Sequence, residues 1–156
     1  MKIRWKTLLF CVLIPLLTGS VAALISRNGM KEFEKLNQPP LSPPSWLFPV
    51  AWTILYSLMG IASYLVLTSD KSMTTKRDSL IFYAIQLFFN FCWTLIFFSL
   101  GHFFFAFVWL LVLLILIIVT AVEFSKADRR AGFLMIPYIL WVTFAAYLNF
   151  GVFLLN

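Results

Sequence analysis

Residues 39–60 read PPLSPPSWLFPVAWTILYSLMG, a proline-rich segment that runs straight into an apolar one. Pro39, Pro40, Pro43 and Pro44 lack backbone donors and restrict the residues before them, so the first part is not helical. Pro49, just inside the apolar run, has the preset φ that suits a first helical turn. From there Phe48, Trp52, Tyr56, Met59 and Ser63 recur every three or four residues, the period of one helix face. The spacing predicts a helix with an aromatic stripe, directly below a stiff loop that ends in Trp46. That combination makes a wall and a lid.

The surrounding composition settles the class. Of 156 residues 62% are hydrophobic and 12% charged, with mean hydropathy +0.95. One soluble core cannot enclose so much apolar side chain, so this is an integral membrane protein. A hydrocarbon layer of roughly 30 Å needs about 20 helical residues to cross it. Five runs are long enough, at 7–25, 47–67, 80–100, 103–124 and 133–155. The run LLVLLILIIV at 110–119 lacks the apolar–polar alternation of a barrel strand, whereas helices satisfy every backbone group internally. The expected fold is an all-α bundle of five transmembrane helices, one domain over 1–156, with 26–46 as a lid.

Charge gives orientation. Lys2, Arg4, Lys6, Lys71, Lys76, Arg77, Lys126, Arg129 and Arg130 fall on one side of the membrane, and Arg27, Lys31 and Lys35 on the other. The bias predicts a cytoplasmic N-terminus, an outer C-terminus and an outer proline-rich loop. The net charge of +6 therefore reads as topology and contact with anionic lipid, not as a nucleic-acid footprint. Lys2, Arg4 and Lys6 before an apolar stretch also fit a signal peptide, but the 19 apolar residues exceed a typical h-region. Gly19 and Ala23 form a small-xxx-small pair in that span, and Pro15 loosens it. Cys11 and Cys92 lie inside apolar runs and have no metal-ligand spacing.

The 26–46 connection is long for a structureless loop, and Phe33, Leu36, Leu41, Trp46 and its prolines argue for a folded cover with a helical turn near 31–36. In the third span Gln86, Asn90, Trp93 and Phe97 share a face; in the fifth, Tyr138, Trp141, Ala145, Leu148 and Asn149 do. Amides are costly in hydrocarbon unless they point into the bundle. The fourth span, nearly uniform Leu, Ile, Val and Phe apart from Trp109, reads as lipid-facing or oligomer-facing. At about 1.5 Å of rise per residue, Trp52, Trp93, Asn149 and Asn90 lie roughly 8–15 Å below the outer helix ends, and Trp141 roughly 20 Å. One cavity open to the outer loop would carry all five on its walls. Interfacial belts are the competing explanation for Trp5, Trp46 and Trp109.

PPLSPPSWLFPVAWTILYSLMGIA, QLFFNFCW and PYILWVTFAAYLNF, in this order, resemble the tryptophan-rich sensory protein family (TspO/MBR), also called translocator proteins or peripheral benzodiazepine receptors. The resemblance implies a five-helix membrane receptor, usually homodimeric, binding tetrapyrroles such as protoporphyrin IX and isoquinoline carboxamides under the first loop. For some bacterial members it implies light-dependent porphyrin breakdown. Pro43, Trp52, Tyr56, Asn90, Trp93, Trp141, Ala145, Leu148 and Asn149 match its pocket positions, with Trp46 and Phe48 as near matches. Phe33 stands in place of one member of a Trp-Tyr pair. Departures at Glu32, Leu41 and Ala146 fall mostly on the loop side. No basic residue follows Tyr147, so a cholesterol motif fails and sterol binding is unsupported.

The residues themselves suit a binder better than an ordinary enzyme. Of Asp, Glu, His, Lys and Arg side chains, which acid–base or metal chemistry would most often use, the spans hold only Glu123, at a cytoplasmic end and within reach of Lys126 or Arg129. His102, on a surface hairpin, is a poor axial haem ligand, and no metal site or obligatory cofactor is expected. An iron-free porphyrin needs flat aromatic walls and few polar groups, its carboxylates reaching Arg27, Lys31 or Lys35 at the mouth. Trp52 and Trp141 would be its photochemical partners. Three readings follow: a tetrapyrrole sensor, a porphyrin-degrading enzyme, and a structural partner subunit with a merely packed core.

Overall fold

Helix 5–25 begins the chain's structure because no charged residue interrupts it after Lys6 and the first acid, Glu32, lies beyond its end. The computed structural model describes residues 2–156. It contains α1 (Trp5–Ile25), α2 (Arg27–Phe33), α3 (Leu47–Leu67), α4 (Met73–Thr94), α5 (Phe103–Ala127), α6 (Arg129–Leu134) and α7 (Ile136–Leu155), with a π-helical segment, Leu95–Ser99, continuing α4. There is no strand among the described residues. Five stretches are long and apolar enough to cross a membrane: Trp5–Ile25, Leu47–Leu67, Met73–Ser99, Phe103–Ala127 and Arg129–Leu155. The protein is an all-α, five-span membrane bundle.

Helix ends follow local chemistry rather than hydropathy. Ser72 caps α4 by accepting the Thr75 N–H at 3.2 Å, so this helix starts seven residues before the apolar run at Leu80. Asp128 separates α5 from α6 and accepts the Arg130 N–H at 2.9 Å. The Arg130 guanidinium beside it, 2.9 Å from Oδ2, holds its carboxyl below the usual range, against a smaller opposing effect of burial. The fifth span breaks at Met135, one residue before α7, where Pro137 occupies the donor-free first turn. At the turn before α5 Gly101 has φ +65°, a conformation that side chains disfavour.

The spans close a ring. Helix α1 packs on α3 and α4, α4 on α5, and α5 on α6 and α7; α3 completes the circle mainly against α6. The ring is tight where α6 lies, and parts towards the N-terminal end of α3 and the C-terminal end of α7. A Cβ on Gly60 would lie 2.6 Å from the Val12 Cα, so bare backbone at this position sets the spacing of α1 and α3. Helix α5 is not confined to lipid. Ala106, Leu110, Leu113, Ile117, Thr120, Phe124 and Ala127 form a buried stripe, while Phe104, Val108, Ile115 and Val122 face outward. Both faces are apolar, so the stripe was invisible to composition. Trp109 is likewise more than a belt residue: its N–H donates to the Phe89 carbonyl at 2.9 Å and its ring stacks on Phe89 at 4.4 Å.

Candidate functional site

The space between the N-terminal half of α3, the C-terminal end of α4 and α7 is a cavity of about 320 Å³. Helix α3 supplies Phe48, Pro49, Trp52 and Tyr56; α4 and its π segment supply Trp93, Thr94, Phe97 and Phe98; α7 supplies Trp141, Ala145, Leu148, Asn149 and Val152. Gly19 and Ala23 of α1 complete the wall, and Met30, Phe33, Glu34, Gln38 and Ser45 form the roof. Gly19 is needed because a Cβ there would run into the Tyr56 ring.

The walls are aromatic and mutually braced. Trp52 stacks on Tyr56 at 5.4 Å and stands 6.4 Å from Trp93, which stacks on Phe97 at 5.4 Å. Phe48 meets Trp141 edge-on at 6.1 Å across the gap between α3 and α7. Consecutive Phe97 and Phe98 both face the cavity. In the π segment the Leu100 N–H reaches the Leu95 carbonyl five residues back, at 3.0 Å, and this wider turn brings adjacent side chains to one side. Phe33 from α2 packs on both, with ring centroids at 5.5 and 5.4 Å.

Below the cavity lies a polar floor. The Tyr56 hydroxyl donates to Asn90 Oδ1 at 2.7 Å, Asn90 Nδ2 donates to the Tyr138 oxygen at 2.8 Å, and the Tyr138 hydroxyl donates to Gln86 Oε1 at 2.8 Å. Asn90, Tyr138 and Gln86 are essentially inaccessible, so each amide or hydroxyl left alone would carry a desolvation cost. A second clamp sits on the wall. The Trp93 N–H donates to Asn149 Oδ1 at 3.1 Å, and Asn149 Nδ2 donates to the Phe103 carbonyl at 2.8 Å. Together the two systems tie α3, α4, α5 and α7.

The roof is fastened at its far end. The Asn37 N–H donates to Asn156 Oδ1 at 3.1 Å while Asn156 Nδ2 donates to the Asn37 carbonyl at 2.9 Å, a reciprocal pair. The Tyr147 hydroxyl donates to the Pro40 carbonyl at 2.7 Å, and Pro39 lies against Gly151. At the near end Ser99 Oγ donates to Ser26 Oγ at 3.1 Å.

Nine of the twelve expected site residues, Phe33, Phe48, Trp52, Tyr56, Trp93, Trp141, Ala145, Leu148 and Asn149, line the cavity. Asn90 does not: it is buried beneath, as the link between Tyr56 and Tyr138. Pro43 is half-buried in the loop and off the lining, and Trp46 is 66% exposed on the outside. The helical turn of the roof falls at 27–33, ahead of the 31–36 expected, and Phe33 is its last residue. Phe97 shares the spacing of Asn90 and Trp93 and was legible; Phe98, Glu34 and Gln38 had no periodic signal. The basic residues expected at the mouth are absent from the lining. No cluster of three or more His, Cys, Asp or Glu able to hold a metal occurs among the described residues.

An internal aromatic chamber in a five-span bundle, roofed by a folded loop, defines a polytopic α-helical membrane protein with one enclosed site. The chain belongs to the TspO/MBR family, whose profile matches residues 11–155. It is 33% identical over 151 residues to the tryptophan-rich protein TspO of Chlorobaculum tepidum, covering 96% of each chain. It is 39% identical over 124 residues to the tryptophan-rich sensory protein of Cereibacter sphaeroides, covering 80% of this chain and 76% of that one. It is 31% identical over 148 residues to the translocator protein of Bos taurus, covering 94% and 88%.

Proposed function

We propose that this protein is a membrane receptor or sensor whose chamber binds flat, largely apolar aromatic ligands of the tetrapyrrole type, protoporphyrin IX being the reference, and smaller isoquinoline carboxamide-like molecules. The observation that carries the reading is the convergence of Trp52, Trp93 and Trp141 on one roofed cavity of about 320 Å³. That volume is at the lower end of the roughly 300–1,000 Å³ usual for ligand pockets. A tetrapyrrole would fill it and leave its substituents at the mouth. The charge bias along the chain supports a mouth on the outer face, with the N-terminus cytoplasmic, and the family supports a homodimer. Titration of the purified protein with protoporphyrin IX should quench tryptophan emission saturably, and Trp52→Phe and Trp141→Phe should each weaken binding. Linear, non-saturating quenching that is the same in all three proteins would remove the proposal.

A second reading, light-dependent breakdown of the bound porphyrin, is favoured by one observation. Trp52 and Trp141 line the cavity and their indole N–H groups make no hydrogen bond among the described residues, so two oxidisable rings face the ligand. Illumination of the loaded protein tests this: loss of porphyrin absorbance should slow in Trp52→Phe or Trp141→Phe, and equal loss in every sample refutes it.

A further inference from the structure

We propose that Glu34 sets the charge class of the ligand: from the mouth of the chamber its carboxylate selects a neutral or cationic, donor-bearing end over a carboxylate-bearing one. This rests on the tetrapyrrole reading above and narrows it. Glu34 follows α2 in the roof and is the one charged side chain lining the chamber among the described residues. It is exposed and enters no ion pair there.

The nearby bases stand off the lining. Lys35 pairs with Glu32 at 3.1 Å in an exposed contact, Lys31 lines a separate groove with Ser99 and Gly101, and Arg27 is not among the lining residues. A carboxylate on the ligand would therefore meet a like charge where the sequence suggested three opposite ones.

Hydrogen bonding points the same way. Gln38 Nε2 is turned to the roof's own carbonyls, Phe33 at 3.3 Å and Leu36 at 3.5 Å, which leaves its Oε1 free. The mouth thus presents acceptors, a carboxylate and an amide oxygen. Deeper in, the Tyr56 hydroxyl and Trp93 N–H are spent on Asn90 and Asn149, leaving the indoles of Trp52 and Trp141 as free donors. The complementary ligand has an aromatic body with an inward acceptor and an outward end bearing N–H donors or no charge. Ester, amide or amine ends meet this requirement better than free acids do.

Because Glu34 is solvated, the discrimination is modest, about three- to fivefold. The test is a titration by tryptophan emission of wild type, Glu34→Gln and Glu34→Lys with protoporphyrin IX and with its dimethyl ester. The ratio of dissociation constants, diacid over ester, should fall about three- to fivefold in Glu34→Gln and further in Glu34→Lys. An identical ratio in all three proteins overturns the role of Glu34 and leaves the tetrapyrrole reading standing. Absence of quenching by either porphyrin in wild type removes both.

Discussion

Asn90 is the residue through which α3, α4 and α7 share hydrogen bonds: one amide oxygen takes the Tyr56 proton and one amide N–H goes to Tyr138. All three groups are buried, so an apolar replacement strands the Tyr56 hydroxyl and removes the N–H that the Tyr138 oxygen accepts, while Tyr138 keeps its bond to Gln86. Asn90→Leu should therefore destabilise the bundle by roughly 2–4 kcal/mol, read as a lower thermal midpoint in detergent. Tyr138→Phe removes both a donor and an acceptor and leaves Asn90 Nδ2 and Gln86 Oε1 unpaired, so it should cost a comparable amount although Asn90 keeps its bond to Tyr56. A midpoint for Asn90→Leu equal to wild type would mean that the floor is hydrated rather than directly bonded. The sequence placed Asn90 on the correct face of α4. It could not tell a wall from a floor, because that depends on whether another side chain lies between the amide and the open space.

Among the elements, the joint of α1 and α3 and the fastening of the roof make separate demands. At Gly60 the two helices touch through backbone, since a Cβ would come within 2.8 Å of the Cys11 carbonyl oxygen. Gly60→Val should push α1 outward and destabilise by about 1–3 kcal/mol, the usual cost of overpacking, measurable as a loss of monodisperse protein on heating. The roof is held by the Asn37–Asn156 pair and by Tyr147 on Pro40, all at its rim. Asn156→Ala should leave the aromatic walls in place while letting the roof open more often. Association and dissociation of a bound porphyrin should then both accelerate, by about two- to tenfold if one net hydrogen bond of about 0.5–1.5 kcal/mol is lost. Stopped-flow traces indistinguishable from wild type would show that the roof does not gate the chamber.

For the whole molecule, the ring of spans leaves the chamber open towards one membrane face, and topology decides what the mouth sees. Nine basic residues on one side and three on the other predict that Ser42 in the roof is outside and Ser69 inside. Single cysteines at these positions, in a background of Cys11→Ala and Cys92→Ala, should react differently with a membrane-impermeant maleimide. Ser42→Cys should label in intact cells, and Ser69→Cys only after lysis. The reverse pattern would turn the chamber towards the cytoplasm and change which ligands can reach it.

The sequence by itself determined that five apolar helices cross a membrane, that α3 carries an aromatic stripe, and that most of the ionisable groups lie outside the hydrocarbon. These follow from composition and period, which are local properties of a chain. Only the tertiary structure decided that Asn90 lies under the cavity, that a π turn adds Phe98 to its wall, that Asn37 is held by a residue 119 positions away, and that the charge at the mouth is Glu34. The physical reason is that lipid and core are equally apolar, so hydropathy does not fix how a helix is rotated. Which side chains meet is settled by packing and by the need to pair every buried polar atom, often across long stretches of chain.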